Sequence, residues 1–155
     1  MALPLAGAKV LDLTNVMSGP YCTLMLADMG AEVIKIEKPG EGDDTRGWGP
    51  PFIANADGTQ GDAAYFLSAN RGKKSITCDL ASAGGQALIR ALAEKSDIVV
   101  ENYKVGTLAK YGLDYTSLRA LNPRLIYCSV TGFGQTGPYA PRPGYDFVFQ
   151  GMGGL

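Results

Sequence analysis

Short apolar runs alternate with longer stretches in which apolar residues recur at helical spacing. Lys9–Leu13 is a compact apolar run and predicts a strand. Ser18-Gly-Pro20 follows, with Ser18 placed to cap a helix and Pro20 in its first turn. Leu24, Met25 and Leu26 carry that helix to Gly30, a residue type suited to the left-handed position just past a helix end. Glu32–Glu37, Lys74–Asp79, Asp97–Glu101 and Leu125–Val130 predict four further strands. Ala83–Glu94 predicts an amphipathic helix with Ala87, Leu88, Ala91 and Leu92 on one side, and Gly106–Tyr111 and Tyr115–Leu121 predict short ones. Strands and helices in alternation specify an α/β fold: an open parallel sheet with helices on both faces.

Pro39–Gly61 interrupts the alternation with a long excursion rich in Gly, Pro and Asp, and excursions of that length are usually functional. In open parallel sheets, ligands gather beyond the carboxyl ends of the strands. That rule selects Thr14–Ser18, Lys38–Trp48, Asp79–Ala81, Asn102–Gly106 and Thr131–Asp146. The last is the most distinctive. Thr131-Gly-Phe-Gly-Gln-Thr-Gly-Pro-Tyr139, followed by Arg142-Pro-Gly-Tyr-Asp146, leaves a strand as a glycine-rich loop and returns into a carboxylate.

Composition narrows the chemistry. A chain of 155 residues suits one core, and its 21 glycines sit at element ends rather than in low-complexity tracts. A net charge of −1 argues against a nucleic-acid partner. No apolar run is long enough for a membrane span and no signal sequence opens the chain, so the expected location is cytoplasmic. Cys22, Cys78 and Cys128 lack metal-site spacing and read as reduced, packed thiols. The chain contains no histidine, which removes Ser–His and Cys–His pairs and His-ligated metals within these residues. Chemistry here falls to carboxylates, hydroxyls, amides and lysines.

The loop before the first helix offers backbone N–H groups that favour a phosphate or carboxylate, or it is an ordinary helix start; the dinucleotide fingerprint G-x-G-x-x-G is absent. Lys38 suits a phosphate as a compact point charge. Arg71, Lys73, Lys74, Lys104 and Lys110 read singly as solvated charges and together as a field for a polyphosphate ligand. Asn102 is a ligand contact or a turn cap. Asp146 caps a helix or faces a cleft with a raised pKa, and spacing does not choose between the two.

Read in order, Leu5–Leu13, Ser18–Pro20, Leu26–Glu37, Gly42–Trp48, Asn70–Ser75, Val100–Asn102, Leu121–Ile126 and Thr131–Asp146 resemble the N-terminal part of the class III CoA-transferases. That group includes formyl-CoA and carnitine CoA-transferases and the bile-acid-inducible transferase, and the α-methylacyl-CoA racemases share its fold. The resemblance implies a Rossmann-like large domain of which residues 1–155 are the N-terminal portion. A small domain and a C-terminal segment would lie outside this chain, and the full-length subunits would interlock as a homodimer. It implies transfer of CoA from an acyl-CoA to a carboxylic acid through aspartyl anhydride and aspartyl-CoA thioester intermediates. No prosthetic group is implied, coenzyme A being a substrate, and no membrane partner.

By the same resemblance, CoA contacts fall on Met17, Ser18, Lys38, Cys78, Asp79, Leu80, Ala81, Asn102, Tyr103, Lys104, Lys110, Pro143 and Gly144. Lys38 and Lys110 stand where the family has phosphate-binding arginines, and Lys104-Val-Gly106 replaces the common Arg-Pro-Gly. Asp146 and Tyr145 take supporting catalytic places, and the nucleophilic aspartate is expected beyond Leu155. The 155 residues alone are therefore expected to be inactive. The racemases carry a histidine before the equivalent aspartate, and Tyr145 there favours transferase over racemase. A racemase-type isomerase and a non-catalytic CoA-binding fragment are the alternatives. The acids exchanged are not identified.

Overall fold

The computed structural model describes residues 2–155. Five strands, β1 (Lys9–Leu13), β2 (Glu32–Glu37), β5 (Lys74–Thr77), β6 (Ile98–Glu101) and β7 (Ile126–Ser129), form one sheet in the order β5-β2-β1-β6-β7. Every pairing is parallel, with Leu11 opposite Ile34 on one side and Val99 on the other. Renumbered among themselves the strands run 3-2-1-4-5, a doubly wound order that reverses between β1 and β6. The expected α/β class and parallel sheet are both present.

Alternate residues of each strand point to opposite faces, and the two faces have different cores. Leu11, Leu13, Ile36 and Val99 pack with Ile89 of helix α3 (Ala83–Glu94) and Leu118 of helix α4 (Tyr115–Leu121). On the other face Val10, Val33 and Val100 pack with Leu26 and Ala27 of helix α1 (Ser18–Asp28). This second face changes character along the strands. Val10 is followed by Asp12, and Val33 by Lys35 and Glu37, all three buried. Its carboxyl end is therefore built from charge rather than hydrocarbon.

Several expectations shift. Met17, not Ser18, caps α1, and no side chain bonds the cap; Ser18 is the first helical residue. Gly30 takes φ +101° past the end of α1, as its position requires. The core face of α3 is Gly85, Ile89 and Ala93, while Leu88 stays 42% exposed. Small residues at Gly85 and Ala93 let the helix approach the sheet, which an apolarity count does not register. The 39–61 excursion contains a 3-10 turn (Asp44–Gly47) and an antiparallel hairpin, β3 (Phe52–Ala54) with β4 (Gln60–Ala63), leading into α2 (Ala64–Asn70). Helix α2 packs on α1. These short elements carry too few apolar residues for periodicity to reveal them. The chain ends in α5 (Asp146–Gly153), no residue of which is buried.

Candidate functional site

All five main strands point the same way, so the five selected loops emerge along one edge of the sheet. At the reversal between β1 and β6, Asn102 reaches across to Asn15. Its Oδ1 accepts from the Asn15 N–H at 2.9 Å, and its Nδ2 donates to the Asn15 carbonyl at 2.7 Å. Burial raises the Tyr103 phenol above its usual range.

Beneath this loop lies a network of buried ions. Asp12 accepts from the N–H and hydroxyl of Thr14 (2.9 and 2.5 Å), from the Thr23 hydroxyl (2.6 Å) and from Lys73 Nζ (3.1 Å). Lys73 also donates to the Pro20 carbonyl and to Asn70. Burial pushes its ammonium below the ordinary lysine value, against the attraction of Asp12. Lys35 donates to the Thr14 carbonyl (2.7 Å) and pairs with Asp43 (2.8 Å). Glu37 is held by both arms of Arg46 at 2.7 Å, by Ser75 and by the Asp43 N–H. Burial alone would raise the Glu37 carboxyl, but those donors outweigh it and lower its pKa to about 2. Among the described residues no buried side-chain nitrogen or oxygen lacks a partner, so the network is closed on itself.

On the opposite face a cleft of about 700 Å³ opens between β6, β7 and α4. Glu101, Tyr103, Lys104, Tyr127, Ser129 and Gln135 are among its walls. Glu101 accepts from the Ser129 hydroxyl and from the Tyr103 N–H (2.8 Å). Burial raises its carboxyl above the usual range, only partly offset by those two bonds. Glu101, Ser129 and Gln135 are not among the residues the sequence reading selected. Their shared signal is position, two at strand carboxyl ends and one in the glycine-rich loop.

The selected residues divide. Asn102 meets Asn15 at the strand-order reversal, just ahead of Met17 and Ser18 in the chain, and Tyr103 and Lys104 line the cleft. Cys78 and Leu80 turn inward to the core, leaving Asp79 and Ala81 exposed at that loop. Lys38 and Lys110 are exposed, with Lys38 3.5 Å from Glu41. Pro143, Gly144, Tyr145 and Asp146 lie on the surface. Asp146 begins α5 and accepts from Gln150 one turn later (3.0 Å), a local bond rather than a helix cap. Gly132 and Gly144 meet where the 131–146 loop closes. A Cβ on Gly144 would lie 2.5 Å from Gly132 Cα and 2.3 Å from the Phe149 ring. Among the described residues no cluster of Cys, Asp or Glu is placed to hold a metal, and no helix is long and apolar enough to cross a membrane.

Residues 5–155 match the model of CoA-transferase family III. The chain belongs to that family. It is 60% identical over 152 residues to the succinate–glutarate CoA-transferase of Agrobacterium fabrum, covering 98% of this chain and 38% of that one. It is 51% identical to the human succinyl-CoA:glutarate CoA-transferase, covering 98% of this chain and 33% of the other. A crystal structure of a CAIB/BAIF family protein from Brucella suis superposes with a TM-score of 0.94 at 57% identity, over all of this chain and 40% of that one. The chain thus spans well under half the length of the relatives it matches.

Proposed function

We propose that these residues are the N-terminal portion of the large domain of a CoA-transferase subunit and supply much of its coenzyme A site. The observation that carries this reading is the joining of the Asn15–Ser18 and Asn102–Lys104 loops at the reversal between β1 and β6, where doubly wound folds bind nucleotide-like ligands. There Met17, Ser18, Asn102 and Tyr103 would form one wall. Lys38, Lys104 and Lys110 would meet the phosphates, the backbone of Cys78–Ala81 would border the nucleotide, and Pro143 and Gly144 would flank the thioester.

In the proposed reaction, a carboxylate of the complete subunit, in the sequence beyond Leu155, attacks the acyl-CoA carbonyl. CoA thiolate leaves and a mixed anhydride remains. The thiolate then attacks the enzyme's own carbonyl, releasing the donor acid and leaving an aspartyl-CoA thioester. The acceptor carboxylate repeats the two steps in reverse, so that charge and CoA are conserved throughout. Asp146 and Tyr145 would support that centre. Exchange between thioester and carboxylate requires no redox or metal cofactor, and the complete subunit would assemble as an interlocked homodimer in the cytoplasm.

The names of the Agrobacterium and human relatives support short dicarboxylic acids as the substrate class. Incubating the complete subunit with succinyl-CoA and labelled glutarate tests the proposal. Label in glutaryl-CoA is expected. Absence of CoA exchange across a panel of dicarboxylates and monocarboxylates would refute it.

A further inference from the structure

Val16 is the one residue other than glycine, among those described, with a left-handed backbone, at φ +71°. A β-branched residue resists that conformation, and it persists only where its surroundings impose it. The surroundings here are specific. The carboxylate of Asp43 accepts from the Val16 N–H with both oxygens at 3.3 Å. Lys35 grips the carbonyl of Thr14 two residues earlier, and the two clamps are themselves an ion pair. Both side chains are fully buried, at 1% and 0% exposure. Asp43 is fixed in turn by the Thr45 N–H and hydroxyl at 3.0 and 2.7 Å, and its own N–H donates to Glu37.

A buried ion pair is a weak source of stability, because desolvating two charges costs about as much as their attraction returns. Its most direct effect here is on the conformation of a loop it touches at two points. We propose that Lys35 and Asp43 are positioning residues that hold Thr14–Ser18 in the shape required to receive the acyl-CoA. The assignment rests on the CoA-transferase reading of that loop. It goes beyond it in placing affinity for the ligand on two buried side chains that act through the loop backbone.

The complete subunit provides the test. Val16→Gly removes the steric resistance while leaving every clamp in place, so the clamped shape is easier to hold. Its melting temperature should stay within a few degrees of the parent and its KM for acyl-CoA close to the parent's. The charge-balanced pair Lys35→Met with Asp43→Ala removes both clamps and should raise KM about tenfold with little change in kcat. Lys35→Met with Asp43→Asn, which restores a carbonyl acceptor for Val16, should recover most of the loss. A merely structural role would instead lower melting temperature and active fraction with KM unchanged, and that result would overturn the proposal. A crystal structure of the Met/Ala variant gives a reading independent of activity. Val16 should leave the left-handed region, and its remaining there would also overturn the proposal. If the parent subunit exchanges no CoA, the functional reading fails on its own and the crystal structure alone decides the clamp.

Discussion

Asn102 holds Asn15 by both of its backbone polar groups, across the point where the strand order reverses. One amide side chain thereby welds the loop after β1 to the loop after β6. Each bond satisfies a group that is only partly open to water. Asn102→Ala leaves the Asn15 N–H and carbonyl without these partners, at a cost on the order of 1–3 kcal/mol. Asn102→Asp keeps the acceptor but sets an oxygen against the Asn15 carbonyl, and should be no better. Urea denaturation of the chain measures the loss. In the complete subunit the same variants should weaken CoA binding by calorimetry.

Glu37 and Glu101 end neighbouring parts of the same sheet and should respond to pH with opposite signs. The Glu37 carboxyl is depressed to about 2, so its contribution is fully present above the ordinary glutamate value near 4.3 and is lost as pH falls toward 2. Glu37→Gln should cost on the order of 2–3 kcal/mol near neutrality and flatten the acid limb of the stability curve over that window. Glu101 is raised chiefly by burial, so the native state prefers it protonated. Its stabilisation is present below about 4.3 and is lost as pH rises through its folded value. Glu101→Gln should reduce the pH dependence above that point. Thermal melts at pH intervals from 2 to about 7 distinguish the two.

How much of this was legible in the sequence depends on the kind of signal. Strands such as Lys9–Leu13 and Glu32–Glu37 and the helices at 83–94 and 115–121 announce themselves by apolar spacing, and the structure reproduces their bounds, although the 83–94 helix turns Gly85, Ile89 and Ala93 rather than Leu88 to the core. The site is legible only as loops. Lys35 and Lys73 look like ordinary charges in a row of letters, and their burial follows from tertiary contacts with Asp43 and Asp12 that lie 8 and 61 residues away. Val16 gives no hint of its backbone, since nothing about a valine predicts a left-handed φ. Asn102 was visible as a candidate, but its partner was not, because only the 3-2-1-4-5 order brings it beside Asn15.

Lys73 and Arg71 stand two residues apart and illustrate how burial sets the worth of an ion pair. Lys73 meets Asp12 with 2% and 0% of the side chains exposed, whereas Arg71 meets Asp28 at 63% and 46%. Lys73→Met strands a buried carboxylate and should destabilise the fold by about 3–5 kcal/mol. Arg71→Ala should cost about 1 kcal/mol or less despite its 2.5 Å contact. Equal losses in denaturant titrations of the two variants would contradict the burial assignment.

Gly144 offers a test of the glycine-rich loop that leaves the charged network untouched. The loop closes where Gly132 and Gly144 touch with the Phe149 ring laid over them, and a methyl group on Gly144 meets backbone on one side and ring on the other. The ring belongs to an exposed helix and can swing away more readily than the backbone of β7's exit can move. Gly144→Ala should therefore displace α5 and its leading residue Asp146 rather than unfold the sheet, with an overpacking cost of about 1–3 kcal/mol confined to that end. Hydrogen exchange should show faster exchange for Val148 and Phe149, whose N–H groups bond the Tyr145 carbonyl, while Val99 and Val100 stay protected. In the complete subunit the Gly144→Ala, Phe149→Ala double variant, which clears space for the methyl, should show more transfer activity than Gly144→Ala alone. Loss of protection throughout β6 would show that the loop closure supports the core and not only the site.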